Sequence, residues 1–252
     1  MILWRMREVR DVMGMPVAVD VRDGAADPEL AFAWLREVDA VFSTYREDSE
    51  IRRLDRGELA LADCRPEVDE VLSACLALER ETGGYFSARP AGRLDPSGYV
   101  KGWAVARAAE RLQAAGARCF CIDAGGDVIA RGRPLRDRAW RVGIRHPREH
   151  DRLAAVLEVE DLAVATSGEY ERGAHILDPH TGRPPAGLLS VTVVGPYLAR
   201  ADAYATAAYA MGAAGGPAWT ATLNGYDAMC VTDAGRVLAT PGFDRHRARP
   251  AG

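Results

Sequence analysis

The chain has 252 residues, 48% hydrophobic and 27% charged. That suits one or two globular domains and excludes a disordered chain, a collagen-like fibre and a disulfide-stapled miniprotein. A formal net charge of -4 argues against a nucleic-acid binder working by bulk charge, since phosphate neutralisation needs clustered basic residues. Of the 32 basic residues all but Lys101 are arginine; a GC-rich coding bias accounts for the arginines but not for the lone lysine.

The opening MILWRMREVR alternates apolar residues with arginine and gives no signal-peptide run. No stretch reaches the roughly 20 apolar residues that span a bilayer. The five cysteines contain no CxxC pair, so neither a disulfide framework nor a zinc ribbon is encoded, and Cys119 and Cys121 read as small core residues. These features lead us to expect a cytoplasmic protein without a membrane anchor.

In chain order, PVAVDV (16–21) alternates as a strand does. A helix is predicted over 27–45, with Asp27 as N-cap, Pro28 at its first position and apolar residues at helical spacing. A second helix runs from Pro66 to Thr82 and stops at Gly83-Gly84. A third runs from Gly98 to Ala115. From 118 onward CFCID, DVIA, WRVGI, LAAVLEV and LLSVTVV read as short strands. An Ala-rich helix over 199–212 ends on Gly212. AMCVT and RVLAT flank Asp233-Ala234-Gly235 as a hairpin, and the tail from about 244 to 252 reads as frayed. Helices followed by sequential strands predict an α+β fold with antiparallel or mixed sheets and packed helices, in a single domain over 1–252.

Lys101 lies in the first turns of the third helix, where unpaired N–H groups and the helix dipole favour anions and disfavour a cation. It is either a solvated surface lysine or the partner of an anion, in a role suited to a compact ammonium rather than a forked guanidinium. Asp202 and Thr206, spaced i, i+4, share one helix face; they form a solvated face or cap, or supply hard oxygens to Mg²⁺. His175, in the loop HILDPHTGRP, is a general base or phosphate donor, or a structural residue. The other four histidines read as surface. IDAGGDVIARG carries a Gly-Gly pair suited to close backbone approach to a ligand or to a tight turn. TSGEYERG reads as a further hydroxyl-bearing loop. No GxSxG elbow, P-loop or HExxH occurs.

In order along the chain, VMGMPVAV, FSTYREDSEIRRL, LDPSGYVKGWAVARAAERL, AGGDVIARG, WRVGIRHP, ATSGEYERG, HILDPHTGRPP, SVTVVGP and ADAYATAAYAMG resemble the ApbE-like FAD:protein FMN transferases. The likeness spans about residues 12 to 232. It implies an α+β fold that uses FAD as substrate with Mg²⁺ and moves FMN onto a Ser or Thr hydroxyl within a short flavinylation motif of an acceptor flavoprotein, releasing AMP. The resemblance further implies that Asp202 and Thr206 hold Mg²⁺ with a backbone carbonyl near Gly98. It places Lys101, Asp95, Met13, Tyr45, Tyr85, Phe86, Ser87 and Ile176 against the cofactor, with His175 orienting or deprotonating the acceptor hydroxyl, and counts Lys101 and Asp202 in the catalytic set. The same site with water as acceptor would make an FAD pyrophosphatase, and without turnover an FAD-binding or delivery protein. Four positions depart from the family pattern: Met15 replaces a threonine, Ser87 an aspartate, Ala106 an aspartate and Ala174 a histidine. Because the first family motif begins near residue 12, no export signal is expected.

Overall fold

The computed structural model describes residues 6–149, 151–168 and 176–248. Strands β1 (Met6–Val12) and β2 (Met15–Val21) form a hairpin whose Val12 and Met15 are directly paired. The two residues between them, Met13 and Gly14, have φ of 55° and 71°. Such a turn matches the right-handed twist of the strands, but it forces Met13 into a region that glycine and asparagine normally fill.

Helices α1 (Glu29–Phe42), α2 (Glu50–Asp55), α3 (Pro66–Glu81) and α4 (Ser97–Ala114) follow. At the start of α1 the Asp27 carboxylate accepts the Glu29 N–H at 2.9 Å, the capping role predicted for it. The remaining strands are β3 (Phe120–Ala124), β4 (Asp127–Arg131), β5 (Trp140–Arg145), β6 (Leu153–Val159), β7 (Ala163–Gly168), β8 (Leu188–Gly195), β9 (Asp227–Thr232) and β10 (Val237–Ala239). Between β8 and β9 stand α5 (Leu198–Ala210) and α6 (Gly212–Thr220). Gly212, at φ 66°, breaks the chain between these helices.

Eight strands form one sheet in the order β1-β2-β3-β4-β7-β8-β9-β10, and every neighbouring pair is antiparallel. This is the α+β architecture expected. The helices cover one face with a core that includes Phe32, Leu35, Trp103, Leu112, Leu198 and Tyr209. The β5–β6 hairpin covers the other face: Trp140, Val142, Ile144, Leu157 and Val159 pack on Val128, Val164, Val194, Met229 and Val231. Strands β7 and β9 are therefore buried along their whole length, and so lack the alternation that marks a one-sided strand.

Four expectations need correction. The β1 segment, read only as an opening free of a signal, is an edge strand. Thr166-Ser167-Gly168, read as part of a loop, belongs to β7, because the sheet is covered on both faces there. The tail is packed through residue 248 rather than frayed from 244. Phe243 is fully buried, the Asp227 carboxylate contacts Arg245 at 2.6 Å and His246 at 3.0 Å, and the Ala248 N–H donates to the Val156 carbonyl. His246 is thus a structural partner and not a surface residue. Cys121 is half-buried against the core beneath the β5–β6 hairpin, and burial pushes its thiol pKa up to about 12. No helix among the described residues is long and apolar enough to cross a membrane.

Candidate active site

Small residues bring the chemistry together. Helices α4 and α5 cross where Gly102 faces Ala199, so closely that a Cβ on Gly102 would stand 2.7 Å from the Ala199 Cα. This contact sets Lys101, one residue before Gly102, against Asp202, three residues after Ala199. The Lys101 Nζ lies 3.6 Å from Asp202 Oδ1.

The same ammonium lies 2.6 Å from Oδ2 of Asp127, the first residue of β4. The β3–β4 turn consists of Gly125 and Gly126, with φ of 60° and 91°. Its tightness delivers Asp127 to the end of the sheet that also carries the Met13-Gly14 turn, as the Gly125 N–H bond to the Pro16 carbonyl shows. Asp127 is fully buried, and its Oδ1 accepts the Thr166 backbone N–H at 3.1 Å. On β7 the neighbouring Ser167 hydroxyl meets the Thr206 hydroxyl at 3.1 Å. Alternation along the strand turns Thr166 to the other face, where it bonds Thr192.

Asp202, Thr206, Asp127, Ser167 and Lys101 therefore form one buried cluster. Among the described residues two carboxylates face one ammonium, in surroundings that screen their charges poorly. Among the described residues no three His, Cys, Asp or Glu side chains stand in metal-holding geometry. The donors present are a carboxylate and hydroxyls, hard oxygens that fit Mg²⁺ when it also takes phosphate oxygens and water. Gly98 lies one turn before Lys101, with its Cα side packed on the ring of Phe86.

The other predicted residues lie in separate places. Tyr45 is 95% exposed and lines a cleft of about 390 Å³ with Thr44, Pro90, Arg93, Leu94 and Asp95. Asp95 turns its carboxylate onto the Ser97 N–H and so starts α4. Tyr85 meets the ring of His180 edge-on, with centroids 4.5 Å apart. Asp178 holds that loop by accepting from the His180 N–H and the Thr181 hydroxyl. Its partial burial favours the neutral acid, but these bonds outweigh that and hold its pKa below the ordinary value. Phe86 is buried in the core, Ser87 accepts the Arg89 N–H, and Met13 and Ile176 are half-buried against the helical core. His175 and Ala174 lie outside the described residues. Met15 packs against Gly125, where a Cβ would stand 3.1 Å from its sulfur; the departure at Met15 thus buttresses the glycine turn before Asp127.

Sequence reasoning missed Asp127 and Ser167 as site residues. The signal for Asp127 was present: an acidic residue opening the apolar run DVIA must be paired once buried, and one lysine in the chain is within the helix that packs there. Ser167 lies in TSGEYERG, read as a hydroxyl-bearing loop, but was not singled out because its strand was unrecognised.

The model of the ApbE family matches residues 13–89 and 86–230. A protein from Rhodobacter capsulatus named FAD:protein FMN transferase is 39% identical over 163 residues, 62% of this chain and 31% of that protein. One of the same name from Treponema pallidum is 33% identical over 174 residues, 62% of this chain and 48% of that protein. The chain thus matches 31% to 48% of the length of these relatives. Among solved structures, the flavin transferase ApbE from Vibrio cholerae superposes with a TM-score of 0.81 at 25% identity, over 97% of this chain and 100% of that one. The ApbE protein from Thermotoga maritima superposes with a TM-score of 0.87 at 21% identity, over 98% and 100%. With a family model covering most of its length and the fold shared throughout, the chain belongs to the ApbE family.

Proposed function

We propose that the chain is a Mg²⁺-dependent FMN transferase that moves FMN from FAD onto a Ser or Thr hydroxyl in a short motif of an acceptor flavoprotein and releases AMP. The observation that carries this reading is the buried cluster itself: one ammonium and a pair of hard-oxygen donors, Asp202 and Thr206, meet at the end of the sheet.

In the reaction, the acceptor oxygen bonds to the phosphorus on the FMN side of the pyrophosphate. The bond from that phosphorus to the bridging oxygen breaks, and AMP leaves with that oxygen. The hydroxyl proton passes to a base, for which His175 is the candidate. Charge builds on the phosphoryl oxygens, and fixed positive groups aimed at them lower the barrier. Lys101 is suited to that task because its ammonium is already oriented by two carboxylates. Asp202 and Thr206, with a backbone carbonyl near Gly98, would hold Mg²⁺, which when bound neutralises phosphoryl charge. Tyr45 and Asp95, in their open cleft, together with Met13, Tyr85, Phe86, Ser87 and Ile176, belong to the proposed FAD-binding set. Phe86 acts there from the core, by supporting Gly98. The chain acts as one domain, since β1 and β10 join a single sheet, and its proposed location is the cytoplasm.

The test is to incubate the protein with FAD, Mg²⁺ and an acceptor bearing a Thr-containing motif, and to measure acceptor mass and AMP. The expected result is one FMN added per acceptor with an equal amount of AMP. AMP and free FMN without an adduct would make the protein an FAD pyrophosphatase, and bound FAD without turnover would refute both enzyme readings.

A further inference from the structure

We propose that Asp127 is a positioning residue that draws the Lys101 ammonium toward itself and so weakens its competition with a divalent cation for Asp202; the inference rests on the metal reading above. Three observations carry it. The ammonium is shared unequally, at 2.6 Å from Asp127 and 3.6 Å from Asp202. Asp127 cannot follow the lysine, because the Thr166 N–H holds its other oxygen and the Gly-Gly turn fixes its backbone. Lys101 can move, since its stem is flexible and it retains 17% exposure while both carboxylates are almost completely buried. Among the described residues Asp202 is the other carboxylate within ion-pair distance of the ammonium, so without charge on Asp127 the lysine shifts toward it and competes more strongly with a cation for the same oxygens. Asp127 therefore acts on the site through Lys101, not by ligation.

A double-mutant cycle read by Mn²⁺ binding, rather than turnover, separates this role from a structural one. Mn²⁺ would be titrated with FAD present and no acceptor, and free Mn²⁺ followed by electron paramagnetic resonance. Asp127→Asn, which preserves shape and the acceptor for the Thr166 N–H, should weaken Mn²⁺ binding about 10-fold. Lys101→Met, which needs no change at Asp127, should tighten it, because Asp202 loses its competing ammonium. In the Lys101→Met background Asp127→Asn should change Mn²⁺ affinity by less than about 2-fold, since nothing is left to position. An equal loss from Asp127→Asn in both backgrounds would overturn the proposal, as would weaker or unchanged Mn²⁺ binding in Lys101→Met. Asp202→Ala tests the underlying reading separately. Retained Mn²⁺ binding in that variant refutes the metal assignment, whereas lost binding there with an equal Asp127→Asn effect in both backgrounds refutes the positioning role alone.

Discussion

Lys101 combines two properties that surface lysines lack: its ammonium touches two buried carboxylates, and it stands one residue before Gly102, where α4 and α5 approach closely. A guanidinium is planar and wider than an ammonium, and it presents its five donors in a fixed fork. Lys101→Arg is therefore expected to lower the rate of flavin transfer by about 100-fold, some 2.7 kcal/mol of transition-state stabilisation, while the protein remains folded. The check is the initial rate of acceptor labelling, with thermal unfolding as control. Ser167→Ala removes the hydroxyl that contacts Thr206 at 3.1 Å. It should raise the Mg²⁺ concentration needed for half-maximal rate by about 10-fold and leave the rate at saturating Mg²⁺ nearly intact, as expected for a residue that orients a ligand without touching the metal.

At the scale of elements, the close crossing of α4 and α5 depends on Gly102 and the alanines of α5. Gly102→Ala places a methyl group 2.7 Å from backbone, which cannot move aside as a flexible side chain would. The helices must separate, with an expected cost of about 1–3 kcal/mol in urea unfolding. Transfer should fall further than this loss of stability explains, because Lys101 and Asp202 sit on either side of the contact. Much of this architecture was legible beforehand. Helical spacing and caps located α1, α3, α4 and α5, alternation located β2, and short apolar runs between turns located β3 to β6 and β8 to β10. What was not legible depended on neighbours far along the chain. β7 looks like a polar loop until β4 and β8 satisfy its backbone, and Asp127 looks like a turn residue until α4 brings Lys101 to it. Asp202, Thr206 and Lys101 could be named because they lie on helices whose faces are predictable, and because a resemblance singled them out. The α6 segment stayed hidden because Pro217 and three glycines speak against a helix that packing nevertheless stabilises.

For the molecule as a whole, the three-layer arrangement puts chemistry at one end of the sheet and a stabilising clasp elsewhere. Asp227 opens β9 and binds the C-terminal segment through Arg245, His246 and the Thr240 hydroxyl. Burial pushes its carboxyl pKa up, but the bonds from His246, Arg245 and Thr240 together outweigh burial and hold it below the ordinary carboxylate value. A lowered folded-state pKa means stability that is fully present above the unfolded carboxylate's pKa and lost as pH falls through the folded one. Wild type should therefore exceed Asp227→Asn by about 1–3 kcal/mol at neutral pH, with the gap closing only in acid below the ordinary carboxylate range. Urea unfolding across that range checks this; a gap independent of pH would show that the ionised carboxylate contributes nothing. Because Asp227 begins β9 at the strand end opposite the Thr232 turn, the substitution should leave Mn²⁺ affinity unchanged under conditions where the protein is folded.

The central claim is that the cluster of Lys101, Asp127, Asp202 and Thr206 is where FAD and its metal meet. A crystal structure with FAD and Mn²⁺, examined by anomalous scattering at the manganese edge, tests it most directly. The account predicts one manganese peak bounded by Asp202, the Thr206 hydroxyl and pyrophosphate oxygens, with Lys101 still paired to Asp127. A manganese peak away from Asp202 and Thr206, or a pyrophosphate bound elsewhere on the chain, would contradict it.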